Sequence, residues 1–500
     1  MTEHTQRKSG GGIASSRPAS HSNLLTCSEK FFSEMSDPGN LTFVDEISTL
    51  ETHLDDTFLF LNGITICLMQ LGFACVEVGS VRKKNSVSVL MKNVLDMFIC
   101  SITFWLVGYS LAFGKGNPFL GLSLWKVNSI VHQERSQWFF QLSFAAAAST
   151  IVSGAVAERC TLIAYSIYTT FISGLIYPIV VHWAWGEDGW LSVLGYKDLA
   201  GSGVVHLLGG SCALVGAIVL GSRLGRFESM AAEGQTQLKK EHSTFTPCSL
   251  ACLANPIPGH STVMVGIGGM LLAVTFLSFN GASIGRVTGG YEQDGDAAAI
   301  VAVNTILGGS GGVIVALCAL KIHSYRYPKC SSPPWDLGIT VNAALAGMVS
   351  LCAGADVLSQ WSSFFTGLIA GIVFLTFKYV ILYVKIDDPT DVASVHLGGG
   401  LWGLLARPLF TFSYYIISNQ DISHAKELVY NAAGAISITL WSTGLSFLVF
   451  ISLKRAKLLR VTPEHEILGL DSSYEMKETC LDEIVMQTIS NDDLTTTESV

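Results

Sequence analysis

Apolar residues run along this chain in long blocks broken by short polar stretches, and block length rather than a two-residue alternation is the signal. Blocks near 57–80, 87–113, 137–157, 161–184, 201–221, 262–284, 297–320, 337–354, 361–384, 391–412 and 431–453 each approach the ~20 apolar residues that a helix needs to span a bilayer. The pattern predicts an all-α integral membrane protein with eleven transmembrane helices, occupying residues 57–453. Residues 1–56 hold Ser, Gly and Thr without a long apolar stretch, so the first block is expected to act as its own insertion signal and the leading segment to be largely disordered. Residues 454–500 are polar, acidic and rich in Ser and Thr, with disorder expected from 475 onward.

Composition agrees: 49% hydrophobic and 14% charged residues over 500 positions, with a mean hydropathy of +0.45, exceed what soluble globular chains show. The 49 glycines within apolar blocks suggest helices packed backbone to backbone. GGSGG at 308–312 lacks the lysine and strand-to-helix setting of a phosphate-binding loop and reads as close helix packing. The net charge of -9 gathers in the tail after Glu464 and near residues 45–56, and it points to no nucleic-acid partner. Cysteines such as Cys67, Cys75, Cys100, Cys212, Cys318 and Cys352 lie in apolar blocks as small hydrophobes, and Cys248 and Cys252 have no histidines to complete a zinc site. No metal, cofactor or enzymatic nucleophile is expected.

Short-loop cations set the orientation. Arg82, Lys83 and Lys84, then Arg223, Arg226, Lys239 and Lys240, then Lys321, Arg326 and Lys329, and finally Lys454, Arg455, Lys457 and Arg460 all fall on one side, against Lys115, Lys126 and Arg135 on the other. The chain is therefore expected to start outside and end in the cytosol. A glycosylation sequon at Asn40 is placed outside by this topology.

Two histidines then change the picture. His206 and His396 each follow an aspartate by eight residues, in DLAGSGVVHLLGG and DPTDVASVHLGGG. An ionisable ring inside an apolar block is costly and is by default functional. Blocks one to five contain the first unit and blocks six to ten the second; five is odd, so the two five-helix halves must insert with opposite topology, the inverted-repeat plan of many transporters, with one further helix outside the repeat. A structural histidine tied between helices is the plainer alternative; haem ligation fits poorly with one histidine per half.

GFACVEVGSVRKKN at 72–85, DLAGSGVVHLLGG at 198–210, GSRLGRF at 221–227, SFNGAS at 278–283 and DDPTDVASVHLGGGLWG at 387–403 resemble the signature stretches of ammonium transporters, over about Phe58 to Asp471. GSRLGRF and LLRVTPEHEILGLD resemble the plant-type branch most. The resemblance implies a homotrimer of independent pores in the plasma membrane, with ammonium or its analogue methylammonium as substrate. It implies an outer recruitment site at Trp185, Phe140 and Ser283 supported by Asp198, a gate of stacked Phe144 and Phe279, and a passage lined by His206 and His396. Ammonium matches potassium in size and charge, so selection needs a π-face, worth ~1–2 kcal/mol when partly desolvated, and a hydroxyl acceptor. A neutral imidazole both donates and accepts, so facing rings can hand hydrogen bonds to ammonia.

Each assignment has a plainer alternative: interfacial anchoring for Trp185, packing for the phenylalanines, and helix capping for Asp198. Asp388 and Asp391, with Pro389, read as caps of the second histidine helix. Lys92 and Asp96, four apart, are expected to pair within their helix. The proximal tail, Leu458 to Asp471, resembles a regulatory segment that docks on a neighbouring subunit, although Ser473 stands near the usual regulatory threonine and the following HGG is missing. Phe276 stands where many members have tryptophan, and Arg407 where an apolar residue is usual, which is expected to alter the charge near the outer end. The resemblance points to ammonium transport; an ammonium sensor or a neutral ammonia or carbon dioxide channel are the alternatives.

Overall fold

The computed structural model of the chain describes residues 38–123, 134–227, 254–288, 294–326, 335–417 and 423–472. Residues Met1–Leu54 form a unit of their own and Asp55–Val500 a compact body. The helices are α1 (Pro38–Ser80), α2 (Ser86–Thr103), α3 (Tyr109–Phe113), α4 (Arg135–Val156), α5 (Leu162–Phe171), α6 (Tyr177–Trp185), α7 (Trp190–Leu194), α8 (Leu208–Leu220), α9 (Thr262–Gly281), α10 (Asp294–Arg326), α11 (Leu337–Leu351), α12 (Gln360–Tyr383), α13 (Gly399–Ile417), α14 (Ser423–Arg455) and α15 (Pro463–Leu468). π-Helical turns join α2 to α3 (Phe104–Gly108) and α5 to α6 (Ile172–Ile176), and others lead into α8 (Ser202–Leu207) and α13 (Ala393–Gly398). Short strands β1 (Gly116–Asn117) and β2 (Leu120–Gly121) pair antiparallel after α3.

All eleven apolar blocks fall on helices. Among the described residues nine helical stretches are long and apolar enough to cross a membrane. The block at 337–354 is the shorter α11, and the block at 391–412 opens on loop residues, passes through a π turn and carries Arg407 and Pro408 within α13. Burial separates inner from outer helices: 89% of the apolar windows in α4 and Ser202–Leu220 is buried, against 28% in α2 and its extension and in α14. The alanine row Ala145–Ala148 of α4 lets its neighbours approach. GGSGG acts as close packing, because a Cβ on Gly347 or Gly367 would fall 2.2 or 1.9 Å from the Gly308 carbonyl oxygen.

Lys92 and Asp96 do not pair. Lys92 donates to the Cys160 carbonyl at 2.6 Å, while Asp96 accepts hydroxyls from Ser149, Thr150 and Thr169 at 2.9, 2.5 and 2.8 Å. Partners on α4, on α5 and in the turn between them replace the expected intrahelical one. Glu77 on α1 is buried and accepts from Asn93 and Ser153.

At one end of the body, three signature stretches converge. Glu158 accepts from the Arg82 backbone and side chain, from Asn85 and from Arg223; Arg223 also grips both oxygens of Asp387. The two carboxylate side chains are fully buried. Cations that mark the topology along the chain are thus paired in the fold. The tail packs beside them: Asp471 accepts from Val87 and Ser88 amides and caps α2, Leu470 donates to Asn85, and Glu466 accepts from Leu224 and Arg460. The proximal tail thus docks on its own chain. Ser473, residues 475–500, Lys126, Lys239, Lys240, Lys329, Cys248 and Cys252 lie outside the described residues, as does the Asn40 side chain.

Candidate functional site

Both histidines sit in six-residue π turns, Ser202–Leu207 and Ala393–Gly398. Each turn is set up by a left-handed residue just before it: Gly201 at φ +93°, and Asp391 at φ +59°, a position where Asp is better tolerated than most residues. Wider turns of this kind often mark functional positions. The aspartates eight residues upstream start these turns. Asp198 accepts four backbone amides, from Gly201, Ser202, Gly203 and Val204 at 2.8–3.1 Å, and the Tyr196 hydroxyl at 3.0 Å. Asp388 accepts the Ala393 amide at 2.8 Å, as its capping role requires, whereas Asp391 pairs with Lys378.

The glycines four residues beyond each histidine explain why the turns meet. A Cβ on Gly210 would fall 2.3 Å from the Leu397 amide, and one on Gly400 would fall 2.4 Å from the Ser202 carbonyl and 2.7 Å from the Leu207 amide. Each helix therefore rests on the other's π turn. The result is a pair of stacked imidazoles, His206 and His396, with Nδ1 atoms 3.1 Å apart and ring centroids 5.1 Å apart at 22°. One Nδ1 must donate and the other accept. His206 Nε2 is buried with no protein partner.

Above them rises a continuous file of rings. His206 meets Phe279 at 5.5 Å; Phe279 stacks on Phe144 at 4.1 Å and 20°; Phe144 meets Trp185 edge-on at 6.1 Å and Phe140 at 4.9 Å. Trp185 is fixed by its Nε1–H donating to the Asp198 carbonyl at 2.7 Å. Asp198 thus serves both as helix cap and as support for the indole. Ser283 joins through Phe279, whose carbonyl accepts its hydroxyl at 2.7 Å; its lone pairs stay open to a donor. The structure therefore brings together Trp185, Phe140, Phe144, Phe279, His206 and His396 by ring contact, and links Ser283 and Asp198 by hydrogen bonds.

This arrangement coincides with a match of the Ammonium Transporter Family model to residues 57–247 and 251–479. The chain belongs to the ammonium transporter family. It is 37% identical over 454 residues to "Putative ammonium transporter 1" of Caenorhabditis elegans, covering 85% of this chain and 79% of that protein. It is 33% identical over 443 residues to "Ammonium transporter Amt2" of Archaeoglobus fulgidus, covering 84% and 87%. Among solved structures, the "Sensor Amt Protein" superposes with a TM-score of 0.73 at 31% identity, covering 85% of this chain and 99% of that one. Mep2 of Candida albicans, at 23% identity and a TM-score of 0.67 over 83% of this chain and 87% of its own, shares the fold. The protein transports ammonium and is not an enzyme.

Two ring neighbours escaped the sequence reading of this transporter. Phe276, noted only as a departure, packs against His206 at 5.5 Å and Phe279 at 5.6 Å, and Phe73 lies 6.0 Å from His396. The three-residue step from Phe276 to Phe279 was the available signal, since it puts both on one helix face. The glycine contacts carry a prediction. Gly210→Ala and Gly400→Ala are expected to cost about 1–3 kcal/mol or more through backbone overlap and to abolish transport by separating the rings. Gly444→Ala, with open space around it, is the neutral control. Folded yield and methylammonium uptake check all three; wild-type uptake in Gly210→Ala would remove glycine-dependent ring apposition.

Proposed function

We propose that ammonium is recruited at Trp185, Phe140 and Ser283, passes the Phe144–Phe279 pair, and crosses as ammonia along His206 and His396 while its proton moves separately, so that net charge enters. The observation that carries this reading is the unbroken file of rings from Trp185 through Phe144 and Phe279 to His206. A π-face attracts the cation at the entrance. The stacked phenylalanines leave no polar partner for a bare ion, and the two imidazoles beneath offer a donor and an acceptor to a neutral base. The proposal includes eleven membrane-crossing helices in two inverted five-helix repeats plus α14, an outside N-terminus, a cytosolic C-terminus with its regulatory tail, a homotrimeric assembly and residence in the plasma membrane. The mutual contacts of Gly210 with Leu397 and of Gly400 with Leu207 support the repeat, and the side shared by Arg82, Arg223 and Arg460 supports the orientation.

Voltage clamp under external ammonium tests the charge balance. An inward current that follows methylammonium uptake is expected. Uptake without current would replace this reading with the neutral-gas channel, and binding without uptake would replace it with the sensor. The gate is tested in the same recording: Phe144→Ala is expected to admit potassium current while ammonium current persists. Unchanged exclusion of potassium would remove Phe144 from the gate.

A further inference from the structure

Arg407 is buried in α13, where a charge is expensive, and its guanidinium reaches α14 and the turn that follows α11. Its Nε donates to Glu427 at 2.9 Å, and its Nη1 donates to Asp356 at 2.8 Å and to the Ala353 carbonyl at 3.0 Å. The local charge expected from an unpaired arginine is therefore offset by two carboxylates. The stem also fills the space over Gly354, where a Cβ would come within 3.0 Å of Arg407 Cβ and Cγ. The turn at 352–354 is thus clamped to the guanidinium and its stem.

That turn is the shelf for the loop carrying Asp198. The Ala353 carbonyl that accepts from Arg407 also accepts the Leu199 amide at 3.3 Å, and the Cys352 carbonyl accepts the Ala200 amide at 2.7 Å. The next residue back, Asp198, holds the Trp185 indole through its carbonyl. On the loop's other flank stands Asn431, one turn after Glu427 on α14. It accepts from the Lys197 amide at 2.9 Å and donates to the carbonyls of Lys197 and of Leu404, one turn before Arg407. Two helices are thus laced to each other and to both edges of a loop that neither crosses.

We propose that Arg407 is a positioning residue for ammonium recruitment: through Ala353 it holds the Leu199–Ala200 edge that sets where Asp198 presents Trp185. It touches none of the rings in the file, so its loss changes how well the entrance captures the cation and leaves the passage below intact. The proposal rests on the reading of Trp185 as the capturing face. It separates from a general electrostatic effect, because Asp356 neutralises Arg407 without touching the Ala353 carbonyl.

Methylammonium uptake as a function of concentration, in cells expressing the full chain at matched surface levels, tests it. Arg407→Gln is expected to raise the half-saturating concentration about fivefold, the effect of losing one buried hydrogen bond, with the maximal rate within about twofold. Asp356→Asn, which alters charge and spares the shelf, is expected to shift it by less than about twofold. Trp185→Ala raises the half-saturating concentration by itself, and adding Arg407→Gln to it brings no further rise, since residues acting through one another are not additive. Should Arg407→Gln fail to reach the surface, Arg407→Lys, which keeps the charge but not three simultaneous contacts, replaces it with about a threefold rise expected. An unchanged half-saturating concentration in the arginine variant, an equal rise with and without Trp185, or an equal effect of Asp356→Asn overturns the proposal while recruitment at Trp185 stands. No effect of Trp185→Ala itself overturns the recruitment reading, and the proposal with it.

Discussion

His206→Ala is expected to reduce methylammonium accumulation at least tenfold at unchanged surface expression. The substitution removes the ring that shares a hydrogen bond with His396 over 3.1 Å and leaves the remaining imidazole buried without that partner. Beneath Phe279 the passage then offers one polar side chain where two stood, and a neutral base moving through it forfeits hydrogen bonds worth about 1–3 kcal/mol when unmet. Each 1.36 kcal/mol added to a barrier is tenfold in rate. His206→Gln, which retains a donor and an acceptor, is expected to recover part of the flux. Uptake within twofold of wild type in the alanine variant would assign the pair a purely structural role.

The largest expected loss of stability is that of Arg223→Met. Glu158 and Asp387 are fully buried and share this guanidinium, at 2.7 and 2.8 Å. Removing it leaves two buried carboxylates short of their common partner, a change that costs about 3–5 kcal/mol. Thermal unfolding in detergent is expected to show a sharply lowered midpoint; a midpoint equal to wild type would mean that Arg82, 2.9 Å from Glu158, and Arg226, 3.4 Å from Asp387, suffice. Acid sensitivity follows from the same contacts. Burial alone raises the Asp387 carboxyl, but hydrogen bonds and charge from Arg223 outweigh it and hold it at about 2, below its ordinary 3.8. For Glu158 burial likewise opposes, and Arg223 with Arg82 prevails, so that carboxyl is also lowered. Groups with depressed folded values contribute fully above their unfolded value and lose that contribution as pH falls. The wild-type cluster therefore weakens between about pH 4 and pH 2. In Arg223→Met this acid dependence is expected to shrink, because the partner that depresses both carboxyls is gone and protonation then relieves buried charge.

These two expectations use residues of different legibility. His206 and His396 stood out because a ring in an apolar block has few plausible reasons to be there, and the repeated spacing from Asp198 and Asp388 doubled the signal. Arg223 was read only as a loop cation. Its partners lie at 158 and 387, and a spacing of that size leaves no periodic mark. Lys92 and Asp96 show the opposite error: a spacing of four made a local pair plausible, yet the turn between α4 and α5 supplied the Cys160 carbonyl and those helices supplied three hydroxyls. Along the chain Arg407 is an added charge, since nothing in the sequence matches Asp356 and Glu427 to it.

By itself the sequence determined the apolar helices, the two matched Asp/His units and the family, because a bilayer restricts length, polarity and topology so strongly that short patterns suffice. Tertiary structure alone decided that Gly210 and Gly400 let those turns touch, that Phe276 and Phe73 flank the rings, that three signature stretches close one ion cluster, and that the proximal tail seals it on its own chain. Each of these is a contact between segments far apart along the chain. Local periodicity records which face of a helix is apolar and leaves the partner of that face to packing.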